Sequence, residues 1–221
     1  MPNEATPPKV AAEMPPIRFS PEELERHRGR TLPDLVQPGM RLLWVAISPG
    51  LWSVAVQAHF AHPANRFWPA LHSGQIIDRP IRVSTGMTDQ DCRYFTGLGM
   101  GIASLVPRAT GPGGLTPADL RAGRKRLTDL VKLHEPQVVA ICGIAGYQLA
   151  SGRRGAVAPG RQQERLQGAE IWAVPNPSVA NPHVSILELG AAYRAVAVAA
   201  GIVHHQRLPS ATHRRDPRLS R

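Results

Sequence analysis

At 221 residues with 43% hydrophobic content, the chain suits one compact domain carrying tails. Its net charge of +10 favours a polyanionic partner, nucleic acid above all, and Arg121-Ala122-Gly123-Arg124-Lys125-Arg126 and Arg153-Arg154 keep the middle of the chain basic. Cys92 and Cys142 are the only cysteines and form no Cys-x-x-Cys, which excludes a four-cysteine iron–sulfur cluster and argues against a disulfide framework.

Residues 1–30 are rich in proline and charge and are expected to form a mobile tail, with Pro21-Glu22-Glu23-Leu24-Glu25 able to start a short helix. Glu4, Glu13 and the lack of an apolar stretch argue against a secretory signal. From 31 to 203 the pattern alternates between strand and helix. Strands are expected at Leu42–Ile47, Gly101–Leu105, Val138–Cys142 and Ile171–Val174. Helices are expected at Arg66–His72, Asp89–Leu98, Pro117–His134, Ile144–Ser151 and Val184–Gly201. Thr116-Pro117-Ala118-Asp119 reads as an N-cap followed by proline at the first helical position. The last helix repeats Ile186, Leu189, Tyr193, Val196 and Ala200 on one face; Glu188 and Arg194 within it mark a packed helix, not a membrane span. Short apolar strands alternating with helices predict a three-layer α/β/α sandwich around a central, mainly parallel twisted sheet. Residues 204–221 carry Arg207, Arg214, Arg215, Arg218 and Arg221 and are expected to be a disordered basic tail. A monomer in the cytoplasm, associated with the nucleoid, fits this composition.

The densest chemistry lies between Leu42 and Trp68. The apolar run Leu42–Ile47 stops at Ser48-Pro49-Gly50, so the loop beyond leaves the strand's carboxyl end, where open parallel sheets bind ligands. His59-Phe60-Ala61-His62-Pro63-Ala64-Asn65-Arg66-Phe67-Trp68 then brings an aromatic face, two imidazoles and an amide nearby. A planar heterocycle needs such a ring to stack on and polar groups to read its edge. Farther on, Asn176-Pro177-Ser178-Val179-Ala180-Asn181-Pro182-His183 leaves another strand end and enters a helix, whose N-terminus offers free N–H groups to a phosphate.

Ile47-Ser48-Pro49-Gly50-Leu51, Phe60–Trp68 and Asn176-Pro177-Ser178 together resemble the mismatch-specific uracil/thymine DNA glycosylases of the uracil-DNA glycosylase superfamily. The likeness runs from about Leu32 to about Ile202. Two positions depart from the pattern: the family has Asn where Ser48 stands and Gly-Leu where Val179-Ala180 stand.

The resemblance implies a flipped base stacked on Phe60, with Ile47, His59 and Asn65 around it and backbone N–H groups near Ile47 and Phe60 facing its oxygens. It implies that Ser48 holds the attacking water, although a hydroxyl is shorter than an asparagine amide. It implies that Ser53, Asn176, Ser178, Val179, Ala180, Asn181 and His183 face DNA, with Val179-Ala180 as a short wedge in the gap left by the flipped nucleotide. Residue chemistry alone leaves alternatives open: Phe60 as core, Ser48 as the start of a turn, and Asn181-Pro182-His183 as a helix cap.

Other chemistries fit poorly. Ile47-Ser48-Pro49-Gly50 partly imitates the serine elbow of α/β-hydrolases, but that site needs an N–H after the serine and Pro49 has none. His72, His134 and His204-His205 lack zinc spacing with cysteines, so no metal and no cofactor is expected. Neither loop holds a lysine for a Schiff base. The resulting expectation is a monofunctional DNA glycosylase of base excision repair. It would act on uracil or a related base opposite guanine (G:U or G:T) in double-stranded DNA, weakened by Ser48. The alternative is a lesion-binding protein impaired in catalysis.

Overall fold

The computed structural model describes residues 18–111, 114–152, 155–178, 181 and 183–203. Arg153-Arg154, Val179-Ala180, Pro182 and the expected tail 204–221 lie outside the described residues.

Among the described residues five strands form one sheet: β1 (Leu42–Ala46), β2 (Met100–Ser104), β3 (Val138–Cys142), β4 (Gly160–Leu166) and β5 (Ala169–Val174). Their order is β2-β1-β3-β5-β4; all neighbours are parallel except β4 against β5. The first three are apolar at nearly every position because both faces are covered by helices, which leaves no solvent side to alternate with.

Among the described residues seven helices accompany the sheet: α1 (Pro21–Glu25), α2 (Leu51–Ala55), α3 (Phe67–Ser73), α4 (Asp89–Gly97), α5 (Pro117–His134), α6 (Ile144–Ser151) and α7 (Ile186–Ala199). Strand alternation sorts the core into two layers. Leu42, Trp44, Met100, Ile102, Val138 and Ala140 meet Phe67 and Leu71 of α3, Phe95 of α4, and Leu189, Tyr193 and Val196 of α7. Leu43, Val45, Ala103, Val139 and Ile141 meet Leu127 and Val131 of α5 and Tyr147 of α6 on the other side. This is the expected α/β/α sandwich. Helices α3 and α7 cross closely at two glycines: a Cβ on Gly74 would stand 2.5 Å from the Gly190 carbonyl oxygen.

Sequence patterning located four strands and five helices to within two residues. Thr116 caps α5 as expected, in a capping box with Asp119. It missed α2, a short turn of helix after Gly50, and β4. The latter reads Gly-Arg-Gln-Gln-Glu-Arg-Leu, a polar edge strand with alternating exposure, and such charge protects a sheet edge from pairing with other chains. The β4–β5 hairpin turns through Gln167 and Gly168, both with positive φ (51° and 90°), as a two-residue hairpin loop requires.

The segment 18–30 is docked, which corrects the expectation of a tail reaching to residue 30. Phe19 packs edge-on against Trp52 with ring centroids 4.9 Å apart, Gly29 donates to the Ala109 carbonyl at 2.8 Å, and Arg28 binds the Thr110 carbonyl. Its anchors are too far away in sequence for composition to reveal. Among the described residues no helix is long and apolar enough to cross a membrane.

Candidate active site

After β1 the chain runs to β2 on one side and then to β3 on the other, so the connections diverge above the carboxyl ends of β1 and β3. Ligand clefts of open α/β sheets form at such switch points. A cleft of about 400 Å3 opens there. The loop after β1 contributes Ile47, Ser48, Pro49 and Gly50; the segment before α3 contributes His59, Phe60, His62 and Asn65. Ser104 and Cys142 enter from the ends of β2 and β3, Asn176 and Ser178 from the loop after β5, and Ser53 from α2. The structure therefore brings together eight residues singled out from sequence: Ile47, Ser48, Ser53, His59, Phe60, Asn65, Asn176 and Ser178.

Phe60 adopts φ 56°, a left-handed conformation that costs a bulky side chain about 1–3 kcal/mol and is concentrated at functional sites. Its ring lies on the fully buried Phe67, with centroids 4.0 Å apart and planes 16° apart. Phe67 is in turn wedged edge-on against Trp44 and Trp68. Phe60 is half-buried on this aromatic stack. The turn is held from below: the Ala61 N–H donates to Ser53 Oγ at 3.1 Å, and Trp68 Nε1 donates to the His59 carbonyl at 3.0 Å. Ser53 is buried, and its hydroxyl supports this turn from the cleft wall. Among the described residues, the backbone N–H groups of Ile47 and Phe60 donate to no protein acceptor.

His59 is buried, and its Nε2 lies 2.9 Å from the Pro33 carbonyl oxygen. A carbonyl only accepts, so Nε2 carries the proton. Burial pushes the imidazole pKa down, against the Pro33 hydrogen bond and the Asp34 carboxylate, which raise it; Arg126 lowers it further. His59 is thus a neutral wall residue. Asn65 Oδ1 accepts the Phe67 N–H at 2.9 Å, opening α3, and this fixes the orientation of its amide. Ser48 is half-buried, and its hydroxyl makes no protein hydrogen bond among the described residues. Burial pushes the Cys142 thiol up to about 12, so it remains protonated. No Asp, Glu or Lys lines the cleft among the described residues, and none of them forms a group of His, Cys, Asp or Glu able to hold a metal ion.

The loop after β5 is shaped by Asn176, whose Oδ1 accepts the Ser178 N–H at 2.9 Å. Arg66, which sequence reasoning passed over, clamps this loop to the first one. Its guanidinium donates to the carbonyls of Ser178 (3.2 Å), Asn181 (2.7 Å) and Val184, and its N–H donates to the Pro177 carbonyl (3.1 Å). Asn181 Nδ2 closes the turn on the Asn176 carbonyl at 3.3 Å. The helix cap is Ser185, whose Oγ accepts the Glu188 N–H in a capping box, so Asn181-Pro182-His183 do not cap α7. With that N–H taken, the helix end offers fewer free donors to a phosphate than the sequence suggested. Asn181 and His183 stand outside the cleft, and Val179 and Ala180 are outside the described residues.

The family model described as the uracil DNA glycosylase superfamily matches residues 33–195, most of the chain. The chain belongs to that superfamily. An NMR structure from Methanosarcina acetivorans, provisionally named a uracil DNA glycosylase, superposes with a TM-score of 0.54 over 80% of this chain and 99% of that one. At 15% identity that likeness concerns the fold. Membership makes DNA the partner of this uracil DNA glycosylase superfamily protein, and its cleft the place to look for base chemistry. Sequence reasoning missed Ser104 and Cys142 as parts of that cleft, and Arg66 as the clamp between its loops. Ser104 was open to it, being the hydroxyl that ends an otherwise apolar strand. Arg66 was not, because its partners are carbonyls more than a hundred residues away.

Proposed function

We propose that the protein is a monofunctional, mismatch-directed DNA glycosylase that hydrolyses the bond between deoxyribose and uracil, or a related base, opposite guanine in duplex DNA. The observation that carries this reading is the Phe60 platform: a half-buried ring on a rigid aromatic stack, with the free Ile47 and Phe60 N–H groups beside it. A flipped pyrimidine stacked on Phe60 would turn its oxygens toward those donors.

As the glycosidic bond lengthens, negative charge builds on the departing base and positive charge on the sugar. Fixed N–H dipoles, in a cleft lined by no Asp, Glu, Lys or Arg among the described residues, stabilise the first without reorganising. Ser48 stands where a water could be held below the sugar. A neutral hydroxyl orients that water without accepting its proton strongly, so slow hydrolysis is expected. No lysine lines the cleft among the described residues, in keeping with a water nucleophile and no Schiff base. The unpartnered Ser48 hydroxyl equally favours a second reading, a protein that binds the lesion and barely cleaves it.

Single-turnover excision on otherwise identical G:U, G:T, A:U and G:C duplexes separates these readings. A glycosylase releases base from G:U fastest. A binding protein retains a preference for G:U in a mobility-shift assay without releasing base. Equal binding to all four duplexes and no release sinks both.

A further inference from the structure

We propose that His62 holds the DNA strand at the cleft mouth: its Nε2–H donates a hydrogen bond to a phosphate oxygen flanking the nucleotide whose base enters the cleft. This rests on the glycosylase reading and concerns the backbone of that nucleotide, not its base. His62 lines the cleft and is exposed, so it stands at the mouth, whereas His59 is buried in the wall. The Ala64 N–H donates to His62 Nδ1 at 3.2 Å. A ring nitrogen that accepts carries no proton, so the proton of the neutral imidazole is on Nε2. That nitrogen makes no protein hydrogen bond among the described residues and is the ring's one free donor.

The ring is held in place by its neighbours. Trp52 meets it edge-on, with centroids 5.6 Å apart and planes at 69°. Trp52 is itself fixed from two sides: its Nε1 donates to the Ser84 carbonyl at 3.0 Å, and Phe19 packs edge-on at 4.9 Å. The docked segment 18–30 thus backs the cleft mouth through an aromatic chain, Phe19 to Trp52 to His62. A donor already fixed by packing gives up little freedom on binding. The partner's chemistry follows from the position. When a base leaves the duplex and lies on Phe60, its phosphates stay outside, level with the exposed lining residues. No Lys or Arg lines the cleft among the described residues, so the strand meets neutral donors there. A phosphate oxygen only accepts, which suits a lone N–H, and its charge strengthens the hydrogen bond.

The test couples two side-chain variants to a change in the DNA. Wild type, His62→Asn and His62→Gln are titrated with a duplex carrying 2′-fluorinated deoxyuridine opposite guanine, whose glycosidic bond resists cleavage. Each is also titrated with the same duplex bearing an uncharged methylphosphonate 5′ or 3′ to that nucleotide, and thermal unfolding is measured alongside. Asparagine can keep the Ala64 contact but does not reach as far as Nε2; glutamine reaches that far and gives up the Ala64 contact. On the ordinary duplex, His62→Asn should lose roughly tenfold in affinity, the scale of one hydrogen bond to an ionised group. That loss should shrink to about twofold or less on one of the two methylphosphonate duplexes, whose acceptor is weakened. His62→Gln should recover most of the wild-type affinity. Equal losses of His62→Asn on every duplex show that the histidine does not act through a phosphate and overturn the proposal. A loss confined to His62→Gln, with a lower melting temperature, makes the Ala64 contact the one that matters and also overturns it. Unchanged affinity in both variants defeats this proposal alone, whereas wild-type protein that neither prefers the uracil duplex to G:C nor releases uracil from G:U defeats the glycosylase reading and the proposal together.

Discussion

Phe60 and Phe67 lie nearly parallel, ring on ring at 4.0 Å, with one half-buried at the cleft and the other sealed in the core. Their roles separate by burial. Base–aromatic stacking is worth about 1–3 kcal/mol, so Phe60→Ala should weaken binding to a G:U duplex by roughly 5- to 150-fold while sparing most of the stability. Phe67→Ala removes a core ring and should cost about 3–5 kcal/mol of folding free energy. Chemical denaturation beside a mobility-shift titration measures both. A Phe60→Ala protein as destabilised as Phe67→Ala would make Phe60 core and remove the platform.

Arg66 links the two loops through four backbone carbonyls, three of them from its guanidinium. Hydrogen bonds to a charged group contribute about 1.5–3 kcal/mol each when partners would otherwise be left unpaired. Arg66→Ala should therefore destabilise the fold by a few kcal/mol and loosen residues 176–184. Lysine cannot fork to several carbonyls at once, so Arg66→Lys should recover little. Amide exchange is the direct check. Faster exchange confined to the Asn176 loop and the start of α7 is expected; protection unchanged there removes the clamp.

The architecture was legible because both faces of β1 and β3 are buried and their apolar runs end at loops rich in turn residues. The edge strand β4 was not, since a polar edge carries no hydrophobic period. At the site, Phe60, Ser48 and Asn176 sat in conspicuous segments, and the fold brings them to one cleft. Arg66 and the docking of Phe19 on Trp52 depend on contacts distant in sequence, and no local pattern encodes them. The αL conformation of Phe60 was equally hidden: a non-glycine residue accepts it only when tertiary contacts, here Ser53 beneath the turn and Phe67 beneath the ring, enforce it.

Burial lowers the His59 pKa below its ordinary 6.5. The unfolded chain thus binds this proton more readily than the folded one. The stability held by neutral His59 is complete above pH about 6.5 and declines as the pH falls below that value toward the lower folded pKa. Unfolding measured from pH 8 to pH 5 should show wild type losing stability faster than His59→Gln, whose amide can still donate to the Pro33 carbonyl. Parallel curves for the two proteins would show that His59 is not the titrating group.

With a net charge of +10, duplex binding should weaken steeply as salt rises, because lysines and arginines displace counterions condensed on the phosphates. Deleting residues 204–221 removes Arg207, Arg214, Arg215, Arg218 and Arg221 and should lower affinity about equally for G:U and G:C duplexes, with a shallower salt slope. If the deletion abolishes lesion preference alone, the segment takes part in recognition and is not a phosphate contact.

Ser48 is the decisive position, since its hydroxyl sits at the cleft beside Ile47 with no protein partner among the described residues. Suppose the cleft holds the flipped base and only the water lacks a firm grip. Ser48→Asn then supplies a longer side chain with both an acceptor and a donor, and excision from G:U should rise by about 10²-fold, the usual scale for a positioned catalytic group. Affinity should change little if, as proposed, the side chain faces the sugar and water more than the base edge. Ser48→Ala is the control. If the serine holds the water, alanine lowers the residual rate; if it is inert, the rate stays the same. An asparagine variant that binds the lesion but still fails to cleave would show that catalysis lacks more than this one group. A fall in activity on Ser48→Asn would mean that the serine serves a mechanism of its own, and the water would have to be assigned elsewhere in the cleft.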